Sequence, residues 1–138
     1  MRFMILVKAT KDSEAGAMPR ESLFKEMADY HEQLAKAGIL VDASGLKPSV
    51  NGWRIKYDGR QRSFVDGPFA ETKELVAGYT IIDVKSREEA LEWTKRFPNP
   101  AVDGGVGEIE VRPFFALEDF GKSEQVERFR KMGVGTRQ

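Results

Sequence analysis

The sequence predicts a single α+β domain in which two helices cover an antiparallel sheet. The chain has 138 residues, which is within the usual size of one domain, and 41% of them are hydrophobic, enough to form a core. Stretches typical of strands alternate along it with two stretches of helical periodicity. No internal repeat and no low-complexity block interrupts this order.

The first third of the chain predicts a strand, a helix and a second short strand. Phe3 to Val7 is a short run of β-forming residues flanked by charges, which is typical of a strand. Between residues 22 and 37 apolar side chains recur at spacings of four and three, so this segment is an amphipathic helix. Gly38 suits its left-handed C-cap. The brief apolar run 39–43 predicts the second strand.

The middle of the chain predicts a hairpin followed by a central strand. Residues 53–57 and 62–65 flank Asp58-Gly59, a pair that favours a tight turn. The strongly β-like run 76–84 predicts a strand in the centre of the sheet. Gly78 within it indicates a bulge or the close approach of another backbone or a ligand.

The remaining segments predict a second helix and a last strand. Ser86 with Glu89 three residues later is a capping-box pattern, and Pro98 ends the helix that starts there. Residues 108–112 alternate with period two, as a strand exposed on one face does. Without the hairpin, the order is the split β-α-β pattern of ferredoxin-like folds.

Two helices on one face would leave the other face of this sheet bare, which predicts a homodimer that pairs two such sheets. Phe114, Phe115 and Phe120 are then expected to pack on the partner subunit. We expect the domain to comprise residues 1–120. The polar tail 121–138 either docks as a short helix or stays loose, since its apolar residues have helical spacing.

Composition excludes several classes of function. Lysine plus arginine and aspartate plus glutamate both number 22, so no net charge favours direct nucleic-acid binding. The chain has no cysteine, no stretch long enough to cross a membrane and no signal-peptide pattern at its start, which together predict a cytoplasmic protein. A single histidine excludes a metal site built from several histidines and leaves only a carboxylate site for magnesium or calcium; we predict no metal. The glycines do not form a dinucleotide fingerprint, so we also predict no cofactor.

The run Asp66-Gly67-Pro68-Phe69-Ala70-Glu71-Thr72-Lys73-Glu74 resembles the signature of the DGPF branch of the YCII-related family over nine consecutive residues. The likeness covers about residues 1–120 and includes these further segments: Phe3-Met4-Ile5-Leu6-Val7, Tyr30-His31, Gly78-Tyr79, Glu110-Val111-Arg112-Pro113 and Glu118-Asp119-Phe120.

The resemblance implies a dimeric α+β barrel, in agreement with the predicted order of elements. It leaves the activity largely undefined. A histidine–aspartate pair beside a cleft has been proposed for such proteins, one relative is a dehydrochlorinase of a chlorinated hydroxyquinol, and members tend to be encoded near sigma factors.

His31 and Asp66 are the candidate catalytic residues. Imidazole changes its charge near neutral pH, and the helical periodicity places His31 at the margin of the apolar stripe. Asp66 is expected to orient or stabilise that ring if the fold brings the two together. The alternatives are that His31 only bonds nearby backbone and that Asp66 shapes its own turn.

Tyr79, Trp53 and Arg54 are the candidate binding residues. Tyr79 is expected either to line a pocket or to fill the dimer core. Trp53 and Arg54 offer a stacking surface and an anion contact, although hairpin aromatics also stabilise cross-strand pairs. Gly67 and Pro68 are expected to shape the backbone. Three further charged residues are ligand contacts or ordinary surface: Glu71, Lys73 and Glu74.

Two classes of function remain open. The first is a cofactor-independent enzyme of lyase or isomerase type that acts on a small polar or aromatic acid, with His31 as general acid or base. The second is a non-enzymatic module that binds an unidentified small molecule or a protein, in a regulatory role linked to a sigma factor.

Overall fold

The structure, a computed structural model, describes residues 1–135 of the chain. Its strands are β1 (Arg2–Lys8), β2 (Leu40–Gly45), β3 (Trp53–Asp58), β4 (Gln61–Asp66), β5 (Val76–Asp83) and β6 (Ile109–Pro113). Its helices are α1 (Lys11–Glu14), α2 (Glu21–Lys36), α3 (Arg87–Lys95) and α4 (Glu124–Met132). Short 3-10 turns occur at 49–51, 72–74 and 117–120.

The four-stranded sheet has the order β2-β5-β1-β6, and each pair of neighbouring strands is antiparallel. The chain therefore forms two interleaved units, β1-α2-β2 and β5-α3-β6. This is the split β-α-β arrangement of ferredoxin-like folds, so the predicted α+β fold class is confirmed. β5 lies between β2 and β1, which confirms its prediction as a central strand.

The hairpin β3-β4 is a separate two-stranded sheet inserted between β2 and β5. Its tight turn contains Gly59, whose φ of +61° lies in the left-handed region that glycine adopts without a steric cost. The predicted hairpin is therefore confirmed. The sequence did not show that the hairpin stands apart from the main sheet.

The core lies between the sheet and the helices α2 and α3. Alternation along β1 turns Phe3 and Ile5 toward the helices, and Ile5 is fully buried. Leu34 of α2, also fully buried, and Ala90 of α3 pack in this same core cluster. The burial of large aliphatic side chains is the main source of stability here.

The opposite face of the sheet carries half-buried side chains from the two central strands, namely Met4, Leu6, Tyr79 and Ile81. We call these residues the helix-free face, because α2 and α3 both contribute to the core on the other side. Its existence agrees with the bare face that the sequence predicts. The homodimer derived from it stays a prediction.

The tail forms α4, whose Ser123 N-cap accepts a hydrogen bond from the Val126 amide at 3.1 Å. Val126 is buried, and Arg130 forms an ion pair with Glu118 at 3.6 Å, so this helix is docked rather than loose. Residues 136–138 of the predicted tail lie outside the described residues. Phe115 and Phe120 pack on each other with ring centroids 4.9 Å apart, yet both remain exposed.

Gly78 shows both features that the sequence indicates. The register of β1 against β5 shifts beside it, between Val7 and Lys8. A Cβ atom at Gly78 would lie 3.0 Å from the Ser44 carbonyl oxygen on β2.

Of the helices within residues 1–135, none combines the length and apolar character needed to span a bilayer.

Candidate functional site

His31 joins helix α2 to the central strand β5. Its Nδ1 lies 2.7 Å from the Met27 carbonyl oxygen, one helical turn earlier, and its Nε2 lies 2.8 Å from Oγ1 of Thr80. Thr80 is only 2% exposed, whereas the histidine ring is half-buried. The ring is therefore held at the boundary between core and surface, as its position at the margin of the apolar stripe predicts.

The two partners determine where the proton of the neutral ring lies. A carbonyl oxygen only accepts hydrogen bonds, so Nδ1 must carry the hydrogen and donate it to Met27. Nε2 is then the basic nitrogen, and the Thr80 hydroxyl donates to it. The ring is therefore held by a hydrogen bond at each of its two nitrogens.

Aromatic rings enclose the other side of His31. The Tyr30 and Phe97 rings meet it edge to face, with centroids 5.6 and 6.1 Å away. The Tyr30 hydroxyl donates to the Trp93 carbonyl at 2.7 Å, and burial raises the pKa of Tyr30 to about 12. Tyr30 therefore stays protonated near neutral pH and links α2 to α3.

A shallow cleft on the outside of these helices is lined by Glu26, Asp29, Tyr30, Gln33, Arg96 and Pro98. The Arg96 guanidinium lies 4.0 Å from the Trp93 ring centroid, a cation–π contact. Tyr30 contributes to this cleft and also contacts the His31 ring, so the two features are adjacent.

Asp66 lies at the end of β4, where it pairs with Trp53 in the hairpin ladder, and it is exposed. Among the described residues, no hydrogen bond or ion pair joins it to His31, whose Nε2 is bound to Thr80 instead. The structure therefore does not bring the two candidate catalytic residues into contact. Their catalytic roles stay predictions.

The loop that follows Asp66 is held by backbone contacts. The Gly67 amide donates to the Gly52 carbonyl at 3.0 Å, and a Cβ atom at Gly67 would lie 1.8 Å from the Ser49 carbonyl oxygen. No side chain fits there, so the expected backbone role of Gly67 is confirmed. The peptide bond between Gly67 and Pro68 is cis.

Side chains fasten the same loop to α1 and to the hairpin. Ser49 Oγ accepts a hydrogen bond from the Phe69 amide at 3.1 Å and donates one to Glu14. The Arg54 guanidinium lies 3.8 Å from the Phe69 ring centroid. Glu71, Lys73 and Glu74, farther along, are exposed, which agrees with their reading as surface residues.

The predicted binding residues lie in two places. Trp53 stacks on Phe64 across the hairpin, with centroids 6.4 Å apart, as the cross-strand alternative expects. Tyr79 lies on the helix-free face, on the opposite side of β5 from Thr80. Its hydroxyl donates to Asp42 at 3.1 Å, and this hydrogen bond raises the pKa of Tyr79. The ligand roles of Tyr79, Trp53 and Arg54 stay predictions.

Sequence reasoning missed Thr80 and Ser49. Period two along β5 places Thr80 on the same side as the buried Ile82, and a hydroxyl at a core position requires a partner. That signal was present in the sequence. Ser49 gave no such signal, because its partners Glu14 and Phe69 are distant along the chain.

Within residues 1–135, no three histidine, aspartate or glutamate side chains lie close enough to hold a metal ion.

Comparison with known proteins decides the family. A profile of the YCII-related domain matches residues 1–115. The chain belongs to the YCII-related family. The uncharacterized protein R00369 of Rhizobium meliloti (strain 1021) is 30% identical over 93 residues, which are 67% of this chain and 73% of the relative. Placement of the chain in the DGPF branch stays a prediction.

Among solved structures, this YCII-related chain is similar to the 5-chloro-2-hydroxyhydroquinone dehydrochlorinase TftG of Burkholderia phenoliruptrix AC1100, in complex with 2,5-dihydroxybenzoquinone. The sequences are 14% identical, the TM-score is 0.46, and the match covers 84% of this chain and 95% of the other.

Replacement of Gly67 by alanine is expected to lower the free energy of unfolding by more than about 2 kcal/mol, because the new methyl group overlaps the Ser49 backbone. Gly45→Ala is the matched control, since a Cβ at Gly45 meets no atom within 4 Å. It should change stability by less than about 0.5 kcal/mol. Urea unfolding measures both, and equal effects would contradict the close approach at Gly67.

The neutral His31 ring is expected to carry its hydrogen on Nδ1, which the Met27 carbonyl fixes. Because the chain has one histidine, long-range ¹H–¹⁵N NMR reads its two ring nitrogens without ambiguity. Thr80→Val should shift the Nε2 resonance, whereas Thr94→Val, which removes a hydroxyl bonded within α3, should not. A hydrogen on Nε2 in the wild-type protein would refute the assignment.

Proposed function

We propose that this YCII-related protein is a cofactor-independent enzyme that performs acid–base chemistry of lyase or isomerase type on a small polar or aromatic acid. The observation that carries the proposal is the fixed tautomer of His31, whose basic Nε2 is hydrogen-bonded to the Thr80 hydroxyl. An imidazole oriented by a second group is the usual arrangement of a general base.

His31 takes or gives the proton in this proposal, and Thr80 is its positioning partner. The hydrogen bond from Nδ1 to Met27 supports this assignment because it stabilises the ring in both the neutral and the protonated state. Among the described residues no hydrogen bond or ion pair joins Asp66 to His31, so a role of Asp66 in the reaction is tested by its own variant.

The surroundings of His31 support the class of substrate. Tyr30 and Phe97 provide aromatic edges beside the ring, and Arg96 provides a cation in the adjacent cleft for a carboxylate. Glu26 and Asp29 also line that cleft and accept hydrogen bonds from the hydroxyl groups of a polar ligand. We further propose that the enzyme acts in the cytoplasm, which the cysteine-free sequence favours.

We also propose that two chains form a homodimer through the helix-free face. Met4, Leu6 and Ile81 present apolar side chains there, and α2 and α3 contribute to the core on the opposite side. A twofold axis would cover the same residues on both chains. Tyr79 and its partner Asp42 would then lie at the interface and line any ligand space between the sheets.

A second candidate is a binding module without catalysis. Both ring nitrogens of His31 have partners within the chain, as in a histidine that only fastens a helix to a sheet. In that case ligand binding survives the loss of His31.

A general acid–base enzyme should exchange an activated C–H proton of its substrate with solvent. We therefore expect the protein to accelerate deuterium incorporation into at least one member of a panel of hydroxybenzoates and short 2-oxo acids in D₂O, followed by ¹H NMR. His31→Gln should lower the rate about 10²- to 10⁴-fold, since the proton acceptor is removed. Glu32→Gln, an exposed change at the next residue, is the matched control and should leave the rate within twofold.

Asp66→Asn and Asp58→Asn, at opposite ends of the same hairpin, test the role of Asp66. A loss with the first variant alone would support it. If His31→Gln keeps the full rate, His31 is not the general acid or base and that assignment is wrong. If no exchange occurs and His31→Gln binds the same panel members unchanged, the binding module is the better account.

A further inference from the structure

The hairpin exposes an unusually large apolar surface. Period two turns Trp53, Ile55 and Tyr57 of β3 to one side, and Phe64 of β4 pairs directly with Ile55 on that same side. We call these four residues the aromatic face of the hairpin. Their exposed fractions are 62%, 40%, 65% and 59%, so the three rings are largely exposed and Ile55 is exposed in part. Contiguous apolar surface of this kind marks an interaction site.

We propose that the aromatic face of the hairpin docks on a second copy of this chain and acts as an arm that extends the dimer interface. The inference rests on the homodimer of the proposed function and adds a second, separate contact to it. Three observations favour a second copy as the occupant: the area of the face, its position in the fold and its charge.

The area fits an accessory contact. Aromatic side chains bury about 200 Å² each, so the three largely exposed rings offer about 400 Å² per protomer. A stable interface buries about 800 Å² per partner. The aromatic face therefore supplies about half of what a stable dimer requires, and it needs a neighbouring surface such as the helix-free face to provide the rest.

The hairpin is inserted directly before a strand that contributes to the helix-free face. The chain leaves the main sheet at the end of β2 and returns to it at the start of β5, the strand that carries Tyr79 of the helix-free face. Six residues per strand allow the hairpin to extend about 20 Å from that edge. A partner bound to the helix-free face would lie within this reach.

The hairpin also needs a partner for its own stability. An isolated two-stranded hairpin is marginally stable in water. Contacts at its base, such as the hydrogen bond from Gly67 to Gly52 and the contact of Arg54 with Phe69, hold the hairpin there. The four side chains of the aromatic face remain exposed within the hairpin, so only a surface outside the hairpin can bury them further.

Charge favours a second copy over an unrelated apolar surface. Residues 53–66 contain four basic and two acidic side chains, whereas the whole chain has 22 of each sign. The rest of the chain therefore has 18 basic and 20 acidic residues, a net charge opposite in sign to that of the hairpin.

Sedimentation equilibrium over a range of protein concentrations tests the inference. Phe64→Ser is expected to raise the dissociation constant of the dimer at least tenfold, and Trp53→Ser at least as much. Phe24→Ser on α2 is the matched control, because Phe24 is 62% exposed and lies outside both proposed surfaces. It should change the constant less than twofold. These positions are all exposed, so the variants are expected to fold.

The outcomes separate the arm from the dimer itself. If the wild-type protein is monomeric at every concentration, the homodimer and the arm both fail. If Leu6→Lys, on the helix-free face, weakens a dimer that Phe64→Ser and Trp53→Ser leave unchanged, the arm alone is refuted. Unchanged dimers together with lost affinity for labelled oligothymidine would assign the basic, aromatic hairpin to single-stranded nucleic acid instead.

A second measurement follows the arm directly. In a Trp93→Phe background, Trp53 is the only tryptophan. Acrylamide quenching of its fluorescence should increase at least twofold when the protein is diluted from dimer to monomer. Quenching that does not change on dissociation would overturn the inference.

Discussion

The hydrogen bonds of His31 connect the scaffold of this protein to the chemistry that we propose for it. Through Met27 and Thr80 the imidazole joins α2 to β5, the helix and the strand around which the core is built. The same contacts fix the tautomer of the ring and give the buried Thr80 hydroxyl a hydrogen-bond partner. The contacts that attach His31 to the sheet therefore also fix the direction of its basic Nε2 atom.

The loop that begins the nine-residue run 66–74 has a structural role. Gly67 lies against the Ser49 backbone where no side chain fits, and Ser49 connects Phe69 to Glu14. Arg54 covers Phe69 from the hairpin. These contacts define the base of the hairpin and thereby the direction in which its aromatic face points. Within the nine-residue run, local architecture thus explains Gly67 and Phe69.

Much of the fold was predictable because its signals are local. The spacing in α2, Asp58-Gly59 in the hairpin and the Ser86 cap each depend on residues close in sequence. Helix α1 was missed since four residues are too few to show a period. The candidate site depends on contacts between distant residues. The sequence therefore predicts Asp66 as the partner of His31, whereas the structure shows Thr80, 49 residues away, at its Nε2.

A double-mutant cycle on His31 and Thr80 tests the central claim most directly. The free energy of unfolding is measured by urea denaturation for the wild-type protein, His31→Phe, Thr80→Val and the double variant. A hydrogen bond between the two side chains predicts a coupling energy of about 1–2 kcal/mol. Additive effects, with a coupling below about 0.3 kcal/mol, would show that the two side chains do not interact and would contradict the account.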